Sequence, residues 1–162
     1  VRVPQWAKGA SLQINGEPQE LSAVLENGYA VLNRTFASQD EIVLELPMEA
    51  RVMHCSGHVP YNAGKVAVKR GPVVYCLEEC DNGKELWNLT INKQPSLQET
   101  FEENLLGGVV TITAKGVREG DTADSLYYEG DKTQQEASLK FVPYYAWSNR
   151  EPGEMTVWVR QN

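Results

Sequence analysis

The residues with the strongest affinity for metal in this chain are two histidines and three cysteines: His54, Cys55, His58, Cys76 and Cys80. Imidazole and thiolate are the usual ligands of zinc. Their spacing argues against a shared ion. His54 and Cys55 are neighbours on a stretch that reads as strand, so they point to opposite faces, and three residues rather than two separate Cys76 from Cys80. Ordinary strand residues are the better reading, and no metal ligand is assigned. The carboxylate pairs Glu78-Glu79 and Glu102-Glu103 invite comparison with the acid and base of a glycosidase. That chemistry needs carboxyls facing each other across a cleft, one of them with a raised pKa. Adjacent strand residues face apart, so these pairs read as solvated and no catalytic residue is assigned.

The third constellation is aromatic. Tyr144, Tyr145 and Trp147, with Asn149 and Arg150 beside them, have the composition of a sugar-stacking platform and are the candidate sugar-binding residues. The competing reading, which we prefer from sequence, is a packed corner of sandwich core. Asn33-Arg34-Thr35 and Asn88-Leu89-Thr90 fit the N-glycosylation pattern, which is too short to carry weight and says nothing in a bacterial source.

The elements that must position these groups read as strands. Val66, Val68, Val73, Tyr75 and Leu77 alternate with other residues on either side of Gly71-Pro72, a break expected to be a bulge or bend. Asn15-Gly16 and Asn27-Gly28 are hairpin signals. Ile42, Leu44 and Leu46 alternate with Glu41, Val43 and Glu45, giving one buried and one mostly wet face. Ala50 to Cys55 reads as another strand, and residues 56–64, rich in Gly, Pro and Asn, read as the domain boundary. Thr111 and Thr113 alternate with Val110, Ile112 and Ala114. Residues 116–136 are polar and acidic and are expected to form one long surface loop, before strands at 139–142 and 155–160. No stretch keeps a helical period.

The expected class is therefore all-β, an antiparallel β-sandwich. At 162 residues with 41% hydrophobic content, the chain can build one large domain or two small ones. A net charge of −7 argues against nucleic acid and anionic membranes as partners, since phosphates call for clustered Lys and Arg. No apolar run approaches the ~20 residues needed to span a bilayer. Three cysteines are too few for a disulfide scaffold and do not fix the compartment. The opening Val1-Arg2-Val3-Pro4 enters a strand directly, as in a piece of something longer.

The segment 66–79 and the run from Phe141 to Met155 (FVPYYAWSNREPGEM) together resemble the C-terminal part of glycoside hydrolase family 127, the β-L-arabinofuranosidases. The resemblance extends to Arg2-Val3-Pro4-Gln5-Trp6-Ala7, Ile14-Asn15-Gly16-Glu17, Gly28-Tyr29 with Arg34 following, and Leu44-Glu45-Leu46-Pro47-Met48. It departs at Gln39-Asp40, where the family usually has Gly-Asp. In that family an α-helical barrel carries catalysis through a cysteine nucleophile in a zinc site, and β-sandwich domains follow it. The resemblance implies a truncated first sandwich at 1–57 and a complete second one at 58–162, with the barrel absent. It implies no cofactor in this fragment, zinc belonging to the missing domain, and as partner the protein's own barrel. An uncovered first piece would either fold back on the second sandwich or self-associate. Two functions follow. The first is a non-catalytic accessory module of a hydrolase acting on plant-type arabinose-containing glycans. The alternative is a carbohydrate-binding module with its own affinity.

Overall fold

Both Asn-Gly pairs turn the chain as their backbone tolerance allows. Asn15 and Gly16 take φ of 53° and 79°, and Asn27 and Gly28 take 49° and 82°. Positive φ at both central residues is the type I′ condition whose twist matches that of paired strands. The computed structural model describes all 162 residues and divides into two compact units, Val1–Glu49 and Ala50–Asn162.

In the first unit, β1 (Ser11–Ile14), β2 (Glu17–Gln19) and β5 (Ile42–Glu45) form an antiparallel sheet in the order β2-β1-β5. A one-turn helix, α1 (Leu21–Val24), precedes the hairpin of β3 (Leu25–Glu26) and β4 (Tyr29–Ala30). Its small core is Val3, Leu12 and Ala30, with Leu21, Val24, Leu32 and Leu44 packed against it. Asp40 ties the sheet's open end. It accepts from Asn15 Nδ2 at 2.7 Å and the Ala37 N–H at 2.9 Å, while Asn15 Oδ1 accepts from the Glu41 N–H at 2.8 Å.

The second unit begins at Ala50, upstream of the 57/58 boundary expected from sequence. The reason is that β6 (Ala50–His54) is laddered antiparallel along β7 (Lys65–Arg70), from Ala50↔Arg70 to His54↔Val66. The Gly/Pro-rich stretch is thus a hairpin connection inside the unit. Gly71-Pro72 is likewise a hairpin and not a bulge: Arg70 pairs with Val73 of β8 (Val73–Glu78), and Gly71 has φ of 53°. Positive φ followed by proline's fixed negative φ is the type II′ sequence of angles. A second one-turn helix, α2 (Glu79–Asn82), follows β8.

The remaining strands are β9 (Leu89–Ile91), β10 (Gln98–Glu102), β11 (Val109–Gly120), β12 (Thr133–Pro143), β13 (Met155–Thr156) and β14 (Val159–Gln161). The class is the all-β, antiparallel one expected. One parallel pairing, β9 with β14, joins ladders that otherwise run β8-β12-β11-β9 and β14-β7, and β7 also pairs with β8. The hydrogen bonding therefore returns on itself. Inside lie Val66, Val68, Tyr75, Leu77, Leu89, Ile91, Ile112, Leu139, Phe141 and Val159, all buried.

β11 changes partner midway. Its first half pairs with β10 and its second half, at Gly116–Arg118, with β9. A Cβ at Gly116 would collide with the Thr90 carbonyl oxygen and with Leu139 Cδ1, so the exchange needs glycine for close approach. The expected loop over 116–136 shrinks to 121–132, because Gly116–Gly120 and Thr133–Ala137 form the outer end of the β11–β12 hairpin. The single final strand expected at 155–160 is two strands, β13 on β8 and β14 on β7 and β9, with Val157 and Trp158 between them.

Candidate functional site

The aromatic turn is anchored from below. Strand β8 has its Tyr75 and Leu77 side on the core, and Tyr75 donates from its hydroxyl to the Val110 carbonyl at 2.8 Å. Its opposite side would be wet but for the segment 144–150. That segment brings Arg150 onto Glu78 and Asp81, the Arg150 Nη1 to Asp81 Oδ1 bond being 2.9 Å. Glu78 also accepts from the Ser148 N–H at 3.0 Å, and Ser148 takes a φ of 61° to present it. Glu78 is only 4% exposed, which overturns its reading as solvated. The ring of acceptors raises the Arg150 pKa. Asp81's hydrogen bonds are the main cause, opposed by burial and reinforced by Glu78. Asn82 completes the anchor: its Nδ2 donates to the carbonyls of Glu78 and Lys140, and its Oδ1 accepts from the Lys140 N–H.

On this base the rings stand outward. Tyr144 is 43% exposed, Tyr145 70% and Trp147 36%, against the packed corner preferred from sequence. Tyr144 and Trp147 stack with centroids 6.2 Å apart and planes at 26°. The turn turns its backbone and small Ala146 inward, and this is why three aromatics next to a proline are not core. Of the five residues singled out, the structure pairs the rings of Tyr144 and Trp147, while Tyr145 stands exposed in the same turn. Asn149 is spent on the carbonyls of Ala146 and Trp147, and Arg150 on the anchor.

The metal-prone residues do not converge as a set. Cys76 is buried beside the Val142 carbonyl, and burial is the first cause that pushes its thiol up to about 12, with Glu78 adding to it. His58 is occupied locally with Ser56 at 3.1 Å. A different trio, Glu78, Cys80 and Asp81, places one ligand atom each within 4.8 Å of one another. Arg150 already bridges both carboxylates, so these residues do not fit a metal ion. Glu102 is engaged by Thr111 at 2.7 Å and by Lys140, which in that order lower its pKa below the ordinary carboxylate value.

Sequence reasoning missed a second feature. Lys65, Trp87, Glu154, Thr156, Trp158 and Arg160 line an open cleft of about 380 Å³. The alternation of Thr156, Trp158 and Arg160 against Met155, Val157 and Val159 did not signal it, because Met155 and Val159 line the cleft as well and the run is broken into two strands. Nothing in the local sequence tied Trp87 to that face.

Comparison with known proteins decides the family. The model of the glycoside hydrolase family 127 C-terminal domain matches residues 50–160. The chain belongs to glycoside hydrolase family 127. The middle-domain model of the family, described as a β-L-arabinofuranosidase domain, matches residues 1–48. These two spans meet where the structure divides. The chain is 39% identical over 169 aligned residues to a non-reducing end β-L-arabinofuranosidase of Bifidobacterium longum subsp. longum, covering 99% of this chain and 25% of that protein. The crystal structure of a family 127 β-L-arabinofuranosidase from Geobacillus stearothermophilus superposes with a TM-score of 0.95 at 41% identity, over 99% of this chain and 26% of that one. A second family 127 β-arabinofuranosidase superposes with a TM-score of 0.83 at 29% identity, over 94% of this chain and 23% of that one. The chain thus spans about a quarter of the length of these relatives, in their C-terminal region.

Proposed function

We propose that this chain is the non-catalytic β-sandwich region of a β-L-arabinofuranosidase-like glycoside hydrolase acting on arabinose-containing glycans, and that it supports the α-helical barrel expected to carry catalysis and zinc. The observation that carries this reading is the tiling of residues 1–48 and 50–160 by the middle and C-terminal domain models, with no part of the chain left for a catalytic one. The side chains agree. The buried Cys76 thiol is held protonated, and Glu78 is committed to Arg150 and Ser148. The chain alone should not turn over a chromogenic β-L-arabinofuranoside. Turnover abolished by substituting Cys55, Cys76 or Cys80 would refute the reading.

A second reading, a carbohydrate-binding module acting through Tyr144, Tyr145 and Trp147, draws support from the exposure of those rings and from the stacked Tyr144–Trp147 pair. Binding that moves the Trp147 indole signal in a sugar titration would favour it.

A further inference from the structure

The cleft beside β14 sets a fixed aromatic surface and the apolar Leu86, Leu89, Met155 and Val159 beside uncommitted polar groups. Trp87 is 63% exposed, yet the turn that carries it is held firmly. Its neighbour Leu86 is buried at 3%, and the Leu86 N–H donates to Glu154 Oε2 at 2.9 Å. The other oxygen of that carboxylate has no protein partner, and neither has the Lys65 ammonium. Thr156 Oγ1 donates to the Trp158 carbonyl at 3.0 Å, which leaves its lone pairs to accept. Arg160 is fixed by Glu119 at 2.8 Å and closes the cleft as a wall. The volume of about 380 Å³ lies in the range of small-molecule clefts.

We propose that this cleft is a saccharide-binding site, with a sugar ring laid on the Trp87 indole and its hydroxyls shared between Glu154 and Lys65. A sugar presents a C–H face and a rim of hydroxyls that both donate and accept. The electron-rich face of an indole attracts C–H groups, while a free carboxylate oxygen and an ammonium satisfy the two senses of hydroxyl hydrogen bonding. A wholly apolar ligand would bury Lys65 and Glu154 without partners, at a cost that opposes binding. A metal cation would meet Lys65 and Arg160. A polyanion would meet a chain of net charge −7 whose Arg160 is already paired. The site is independent of the supporting role proposed above and of the 144–150 turn.

The chain contains four tryptophans, Trp6, Trp87, Trp147 and Trp158, so an isotope-labelled sample gives four indole N–H signals that single Trp→Phe variants assign. Titration with arabino-, xylo- and galacto-oligosaccharides at millimolar concentration should shift the Trp87 and Trp158 signals saturably with at least one of the three and leave Trp6 unmoved. Trp87→Ala should weaken that binding about tenfold or more. Its thermal midpoint should not change, because most of the ring lies in solvent. Lys65→Met tests the hydroxyl partner without touching the Glu154–Leu86 bond and should also weaken binding. Three results would overturn the proposal: no indole signal moving with any of these sugars, a shift confined to Trp147, or full protection of Trp87 from acrylamide quenching in a longer protein that includes the preceding domain.

Discussion

Arg150 illustrates how far a residue's role depends on what lies beneath it. In sequence it sits beside aromatics and a small amide, a composition that suits sugars. In the structure it bridges the carboxylates of Glu78 and Asp81 under the turn. Truncation to Ala should leave the nearly buried Glu78 carboxylate without its cation, and we expect a loss of about 3 kcal/mol in urea unfolding. An unchanged midpoint would refute that role. The thiol and phenol of β8 set an alkaline limit. Burial is the first cause that raises Cys76 from its ordinary 9 to about 12, and likewise Tyr75 from 10 to about 12. An acid whose folded pKa is raised loses its proton first in the unfolded chain. Stability should therefore be level up to about pH 9 and fall as pH rises toward about 12. Thermal midpoints across that range check the sign, and a rising midpoint would contradict it. The burial of Cys76 was not visible from the chain, since the alternation of Val74, Cys76 and Glu78 reads as a wet face until the 144–150 turn covers it.

Elements were legible where local chemistry dictates geometry. Asn15-Gly16 and Asn27-Gly28 were hairpins in sequence and are hairpins in structure, because only a few residues accept positive φ. The break at Gly71-Pro72 was legible as a break, but its kind was not. Bulge and two-residue turn share the same residues, and which one forms is set by whether β7 finds β8 as its neighbour. The outer β11–β12 arm was read as loop for a physical reason. Its strands at 117–120 and 133–136 have no deeply buried side, so their side chains lack the alternation that marks a half-buried strand. Gly116 marks the partner exchange of β11. Its substitution by Ala should cost roughly 2 kcal/mol or more, since the Thr90 backbone cannot move aside as a side chain would. Denaturant unfolding of Gly116→Ala with a wild-type midpoint would show that the strands separate more easily than this packing implies.

For the molecule as a whole, family and class were readable and the placement of function was not, because a fragment's residues take their meaning from domains it does not include. The first unit leaves Val1, Leu25, Tyr29, Val31, Phe36 and Ile42 exposed, and its sheet has β2 and β5 as open edges. Such edges and apolar side chains are templates for association. Light scattering over a concentration series should show the isolated chain forming dimers or larger species as concentration rises, and a strict monomer throughout would sink that expectation.

The return of the second unit's hydrogen bonding on itself bears on synthesis. Strand β14 supplies the pairing between β7 and β9, and it follows every other strand of its unit in the chain. On a ribosome, where elongation proceeds at about 5–20 residues per second, β7 and β9 emerge well before the three residues that join them. The nascent unit must wait with that seam open, exposed to chaperones, until Val159–Gln161 clear the exit tunnel. The sheet of the first unit needs nothing later than β5 and can form while the rest is still being made.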